Sequence, residues 1–173
     1  VLKLDLKDFF PGISRARVIA IFLTAGYPES VAEVLTGLCT NSTPAAVVKT
    51  CPGAANAIHL RRTKLLYQRP HLPQGAPSSP SLANLAVYRL DCRLAGLAQA
   101  LRVNYTRYAD DLIFSGGQEF ARDVERFHIR VCAIALEEGF EVHTRKTRIM
   151  RQSVSQRAGG VVLNQRMNVR RDY

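Results

Sequence analysis

The chain has 173 residues, of which 47% are apolar, 22% charged and 8% aromatic; that balance suits one ordinary globular core and excludes a disordered tail and a multidomain assembly. Twenty-four Lys and Arg against fourteen Asp and Glu leave a net charge of +10, so a polyanionic partner is expected. No apolar run approaches the roughly 20 residues of a bilayer-spanning helix, and no membrane association is expected.

The charge is unevenly placed. Residues 144–173 hold eight Lys and Arg against one acid, Asp172, a local +7 that leaves only +3 for the other 143 residues. Cys39, Cys51, Cys92 and Cys132 form no close pair, and their spacing with the four histidines matches no zinc module. Reduced thiols and the lack of a signal-like segment point to a cytoplasmic protein. The chain opens on Val1 inside a strand-like run, so it reads as a piece of a longer polypeptide.

In chain order, Val1 to Leu6 reads as a buried strand with one carboxylate, Asp5, near its end. Pro11-Gly12 breaks the run. Ser14 is the expected N-cap of a helix through Val18, Ile21, Phe22 and Ala25, stopped by Gly26, and a second helix starts near Pro28 and ends by Cys39. Residues 40–56 are turn-rich and their conformation is left open. Residues 72–80 carry three prolines and a glycine and must form a shaped loop. Ser79 should cap a helix with Pro80 at its first position, and Leu82, Ala86, Leu90, Leu94, Leu97 and Leu101 give that long helix one apolar stripe. Val103–Tyr108 and Leu112–Ser115 are short strands around Ala109-Asp110-Asp111, a tight hairpin with two acids at its tip. A helix follows with Phe120, Val124, Phe127, Val131 and Ala135 on one face and Gly139 at its end, then strand-like 140–143 and 160–163.

Asp5, Asp110 and Asp111 carry the chemistry. Acids flanked by Leu, Ile, Phe and Tyr need a compensating cation, and hard carboxylate oxygens at a turn suit Mg²⁺ shared with substrate phosphates. Read as a dipeptide alone, Asp110-Asp111 is equally an ordinary solvated turn.

The surrounding residues identify the chemistry further. Tyr105-Thr106-Arg107-Tyr108-Ala109-Asp110-Asp111-Leu112-Ile113-Phe114-Ser115 closely resembles the signature hairpin of reverse transcriptases, and Leu4-Asp5-Leu6-Lys7-Asp8-Phe9-Phe10 resembles their first catalytic motif. Residues 72–80 resemble their loop-helix motif, Gly139-Phe140 with Lys146-Thr147 the next one, and 160–164 the hairpin before the thumb. Five motifs in family order span residues 2 to 164. Asn56-Ala57-Ile58-His59 matches an Asn-Ala-x-x-His element of retron reverse transcriptases, which favours a bacterial, retron-type enzyme related to those of group II introns. The companion Val-Thr-Gly element is matched near residues 158–160 only by its final glycine.

The resemblance implies an α+β palm: an antiparallel sheet packed on helices 82–101 and 120–136, with part of the fingers in 13–72 and the thumb absent. It implies RNA-templated DNA synthesis from dNTPs on a primer 3′-hydroxyl or an RNA 2′-hydroxyl. Asp5 and Asp110 would hold two Mg²⁺ ions, for which Mn²⁺ can substitute, with Asp111 beside them and the Leu6 carbonyl completing one shell. Phe10 would be the sugar gate under the deoxyribose, with at least one of Phe9 and Phe10 packing in the core. The Asp8 and Phe9 backbone N–H groups would meet the triphosphate. Gln74 and Gly75 would face the nucleotide, Tyr108 and Ala109 the primer terminus, and Lys146 the pyrophosphate, with Arg145 an equal candidate for that last role. Asn56 and His59 are the RNA-recognition candidates, and the basic C-terminal segment would meet the template–primer backbone. Implied partners are template and primer RNA, nascent DNA, a structured non-coding RNA and an effector protein in phage defence. Two other readings stand beside this one: an intron-encoded or other defence-associated relative, and a catalytically silent RNA-binding palm scaffold.

Overall fold

A computed structural model of the chain describes residues 1–50, 57–158 and 161–162. Its elements in order are β1 (Leu2–Lys7), α1 (Phe9–Gly12), α2 (Arg15–Thr24), α3 (Glu29–Cys39), α4 (Ala45–Thr50), α5 (Ala57–Gln68), α6 (Ser79–Ala86), α7 (Tyr88–Ala100), β2 (Asn104–Tyr108), β3 (Asp111–Ser115), α8 (Gln118–Glu137), β4 (Glu141–Val142), β5 (Arg148–Ile149), β6 (Arg157–Ala158) and β7 (Val161–Val162). They fall into two compact units, one made of residues 1–7 with everything from Tyr88 onward, the other of Asp8–Val87.

The first unit is built on an antiparallel sheet in the order β2-β3-β1-β4, with β5 also paired to β1. β1 lies inside the sheet, and its alternation of apolar and polar residues becomes an alternation of burial. Leu2, Leu4 and Leu6 are at most 1% exposed, and Leu112 and Phe114 of β3 join them. This face packs on the helices. α8 contributes Phe120, Val124, Phe127, Val131 and Ala135, and α7 contributes Leu90, Leu94 and Ala98. The Phe114 ring sits between Tyr105 (5.0 Å, stacked) and Phe127 (4.9 Å, edge-on), close to the arrangements that aromatic quadrupoles favour. Because strand side chains alternate, Lys3, Asp5 and Lys7 of β1 and Asp111, Ile113 and Ser115 of β3 point to the opposite face.

The second unit is helical. Leu72 is fully buried and its N–H donates to the Ile13 carbonyl, while His71 is bridged to both Ser14 and Asn41. α2 packs on α3 and on α6.

Several expectations are corrected in detail. The helix expected through Leu101 is two helices, α6 and α7, interrupted at Val87, whose φ of −105° and ψ of 11° lie outside the helical range; a β-branched residue concedes such a break readily. Ser79 does not cap α6. Ser78 holds the cap position, Pro80 lies in the first turn, and the Ser79 hydroxyl donates to the Pro73 carbonyl instead, tying the loop to the helix. Pro11-Gly12 does not end order but closes the one-turn helix α1, and the turn-rich stretch after residue 40 contains α4. Among the described residues, no helix is long and apolar enough to cross a membrane.

Candidate active site

Sheet register brings the acids together. β1 and β3 are antiparallel with Asp5 opposite Asp111, and the Leu6 N–H donates to the Asp110 carbonyl at 2.8 Å. Residues directly opposite in an antiparallel pair present their side chains on one face, so Asp5 and Asp111 share the polar face with Asp110 at the adjoining turn. Leu6 itself is buried, which leaves its backbone as its only polar contribution.

The electrostatics agree with that proximity. Burial raises the Asp110 pKa above the ordinary carboxylate value, and the negative charges of Asp5 and Asp111 raise it further, with Lys146 opposing them. Two ammonium groups are already seated on the other acids. Lys146 Nζ lies 3.1 and 3.3 Å from the Asp5 carboxylate oxygens, and Lys3 Nζ lies 2.8 Å from Asp111 Oδ2. Asp5 in turn raises the Lys146 pKa by hydrogen bonding and by charge, keeping that ammonium protonated. Arg145, the other basic residue considered for the Lys146 position, is exposed and uses its carbonyl to accept from Arg148.

Lys3, Asp5, Asp111, Lys146, Arg148 and Arg157 line an open cleft of about 430 Å³. Four cations around two acids suit a polyanion that brings cations of its own. Lys3 and Arg148 are opposite each other across β1 and β5; Arg148 belongs to the basic C-terminal segment expected to meet nucleic acid, whereas nothing local in the sequence marks Lys3, because only strand parity shows that it faces the cleft. Carboxylates that already hold ammonium groups, with a third, partly buried acid beside them, form a hard-oxygen donor set of the kind Mg²⁺ takes. Among the described residues, no three such side chains converge tightly enough to count as a closed metal cluster. The set fits an ion shared with a substrate better than an all-protein cage.

The turn carrying Asp110 is held from behind. Ala109 and Asp110 form a two-residue connection between β2 and β3, and Ala109 has a left-handed φ of 49°. Arg107 Nη1 donates to the Ala109 carbonyl at 3.2 Å, while its Nε and Nη2 grip Asp91 of α7 at 2.8 and 2.6 Å. Tyr105 donates to the same carboxylate at 2.7 Å. Burial and Asp91 together push the Tyr105 phenol well above its usual pKa. The Arg107 side chain is only 7% exposed. Nothing in the sequence announced Asp91, which lies sixteen residues from its partner.

A left-handed alanine costs about 1–2 kcal/mol, and a β-branched side chain there is worse. Ala109→Val is therefore expected to lower the unfolding free energy by about 1–2 kcal/mol. Ala109→Gly should shift it by less than about 1 kcal/mol, because relief of strain offsets the added chain entropy. Urea denaturation of the two variants checks both.

The other expected site residues belong to the second unit. Asp8 is left-handed (φ 48°) and precedes α1, accepting from the Tyr67 hydroxyl at 3.4 Å. Phe9 is buried and Phe10 half-buried, their rings edge-on at 5.2 Å, so Phe9 is the core residue of the two. Gln74 and Gly75 are exposed at a turn, with Gly75 at φ 92°. In the first unit, Tyr108 is 78% exposed at the end of β2. His59 falls within α5. Asn56, Gly160, Leu163 and Asn164, with the basic residues beyond them, lie outside the described residues.

With this geometry established, comparison with known proteins decides the family. Residues 1–163 match the family described as reverse transcriptase (RNA-dependent DNA polymerase). The chain belongs to the reverse transcriptase family. Similarity is high to three retron enzymes: the Retron Mx65 reverse transcriptase of Myxococcus xanthus (42% identical, covering 99% of this chain), the Retron Mx162 reverse transcriptase of the same organism (39%, covering 95%), and the Retron Ec86 reverse transcriptase of Escherichia coli (32%, covering 95%). These support the retron-type bacterial branch expected from the sequence. The chain spans 38%, 34% and 42% of the lengths of those three proteins.

Proposed function

We propose that this retron-type reverse transcriptase chain forms the palm and part of the fingers, within 13–72, of an RNA-templated DNA polymerase whose product is single-stranded DNA copied from a structured RNA. The observation that carries the reading is the pairing of Asp5 with Asp111 beside the Asp110 turn. It sets two acids from distant parts of the chain, Asp5 and Asp111, in one cationic cleft.

Asp5 and Asp110 would hold the two ions, with Asp111 beside them and the Leu6 carbonyl as a further oxygen donor. Bound there, Mg²⁺ would lower the pKa of the primer hydroxyl and neutralise charge on the departing pyrophosphate. The chain's own residues position and compensate. Lys3 and Arg148 supply fixed positive charge for phosphate oxygens in the cleft. Lys146, protonated through its contact with Asp5, would give a proton or a charge-assisted hydrogen bond to the pyrophosphate. Tyr108, exposed at the strand end, offers an aromatic face to the primer terminus, and Ala109 keeps that approach open.

The test is extension of a primer on an RNA template with dNTPs by the intact protein, with and without Mg²⁺. Metal-dependent incorporation by the wild type, lost in Asp5→Asn, is the expected result; incorporation that survives in Asp5→Asn rejects the assignment.

Phe10 is the residue assigned to sugar discrimination. Its ring is braced edge-on by buried Phe9, and a braced ring can exclude a 2′-hydroxyl on steric grounds. Phe10→Ala is expected to raise ribonucleotide use relative to deoxyribonucleotide use by about tenfold or more. Single-nucleotide incorporation with paired rNTP and dNTP substrates measures the ratio.

A further inference from the structure

The helix-covered side of the first unit carries a basic groove unconnected with the acids. Arg122, Arg126 and Arg130 recur at every fourth residue of α8, and Arg102 joins them from the segment after α7; with Glu119 and Asp123 they line a cavity of about 540 Å³. All four arginines are exposed. Among the described residues the guanidinium groups of Arg102, Arg122 and Arg130 have no carboxylate partner, and Arg126 reaches Asp123 only at 3.9 Å between two largely exposed side chains.

This is unlike the same helix one end further on. There Glu137 and Glu138 are taken up by Arg93 and Arg89 of α7. At that end the arginines of α7 are paired, whereas at the groove only Arg126, among the described residues, reaches a carboxylate. Like charges four residues apart on a helix repel, and a bound anion would relieve that repulsion.

Spacing favours a nucleic-acid backbone over an acidic protein surface. Four helical residues rise about 6 Å, of the order of the separation between successive phosphates along a strand. Guanidinium groups bind phosphate in a bidentate fork that an ammonium cannot reproduce. Position separates this groove from the cleft. α8 packs against the face of the sheet formed by Leu4, Leu6, Leu112 and Phe114, whereas Asp5 and Asp111 lie on the other face, so the sheet stands between them.

We propose that the Arg102–Arg122–Arg126–Arg130 groove binds the sugar-phosphate backbone of a structured RNA segment distinct from the template–primer duplex at the acids. The inference rests on the polymerase reading for the nature of the partner, and the two can fail separately.

The experiment measures binding of a 3′-blocked RNA stem–loop to the intact protein by fluorescence anisotropy over a salt series, alongside extension of a short primer–template. The variant Arg122→Gln/Arg126→Gln/Arg130→Gln is expected to weaken stem–loop binding about tenfold or more and to flatten the dependence of log K on log salt by about two to three. Short-substrate extension should stay at the wild-type level. Glu119→Gln/Asp123→Asn, which removes the groove's two acids, is expected to tighten binding, an effect that damage to the fold cannot produce. Unchanged stem–loop affinity in the arginine variant overturns the proposal, as does a parallel fall in short-substrate extension. Competition by polyglutamate as effective as that by RNA also overturns it, because the groove is then a general anion surface. Wild-type protein that extends nothing yet shows these binding effects rejects the polymerase reading and leaves the groove standing.

Discussion

Asp110→Asn is expected to abolish nucleotide incorporation while raising the melting temperature of the metal-free protein. Both effects have one cause. Burial and the charges of Asp5 and Asp111 raise the Asp110 pKa, so its ionised form is disfavoured in the folded state relative to the unfolded chain. A carboxyl with a raised folded pKa favours folding where it is protonated, and that contribution is lost as pH rises through the unfolded and then the folded value. At neutral pH the wild type therefore carries an unfavourable charge that Asn lacks. The stability gap between variant and wild type should close as pH falls below the unfolded-state pKa of an aspartate, about 3.9. Added Mg²⁺ should reverse the order, since a ligand that binds only the folded state stabilises it by mass action. It should stabilise the wild type clearly and Asp110→Asn little. Thermal melts with EDTA and with Mg²⁺, at neutral and acid pH, read all of this without an activity assay. A variant less stable than the wild type in EDTA at neutral pH would contradict the account of Asp110 as an acid under strain.

What could be read from the sequence follows the range of the interactions involved. The period-two run Leu2-Lys3-Leu4-Asp5-Leu6, the Phe120 to Ala135 stripe and the hairpin around Ala109-Asp110 are local patterns, and the structure places β1, α8, β2 and β3 on them. Val87 interrupts a stripe that continues in step on both sides, so leucine spacing alone could not reveal the break between α6 and α7. α1 was hidden by Pro11-Gly12, although a proline in the first turn of a helix is well tolerated. The three acids were legible as residue types and by motif order. Their meeting depends on the β1–β3 register, which no local pattern states. Lys3 and Asp91 were missed for the same reason, since each becomes meaningful only through a partner brought near by strand pairing or by helix packing.

Arg107→Ala is expected to be the most destabilising single change in the first unit outside its apolar core, and Arg107→Lys to recover only part of the loss. Arg107 donates twice to Asp91 and once to the Ala109 carbonyl, and its side chain is 93% withdrawn from solvent. Removing it leaves the Asp91 carboxylate with Tyr105 alone and frees the carbonyl of a left-handed residue at the turn. Breaking a buried ion pair by deleting one partner costs about 3–5 kcal/mol; with Asp91 30% exposed, solvent screening brings the expectation to about 2–3 kcal/mol. Lysine restores charge but not the fork, so the turn contact and one arm of the grip stay lost. Asp91→Asn separates the turn's geometry from its charge. The amide keeps its size and still accepts from Arg107 or Tyr105, so stability should fall less than in Arg107→Ala, by about 1–2 kcal/mol. Incorporation should fall further than stability explains, because the turn that positions Asp110 is then held loosely. Single-turnover rates compared at temperatures where all variants are fully folded distinguish the two effects. A rate in Asp91→Asn equal to the wild type under those conditions would confine this network to folding and remove it from the positioning of the acids.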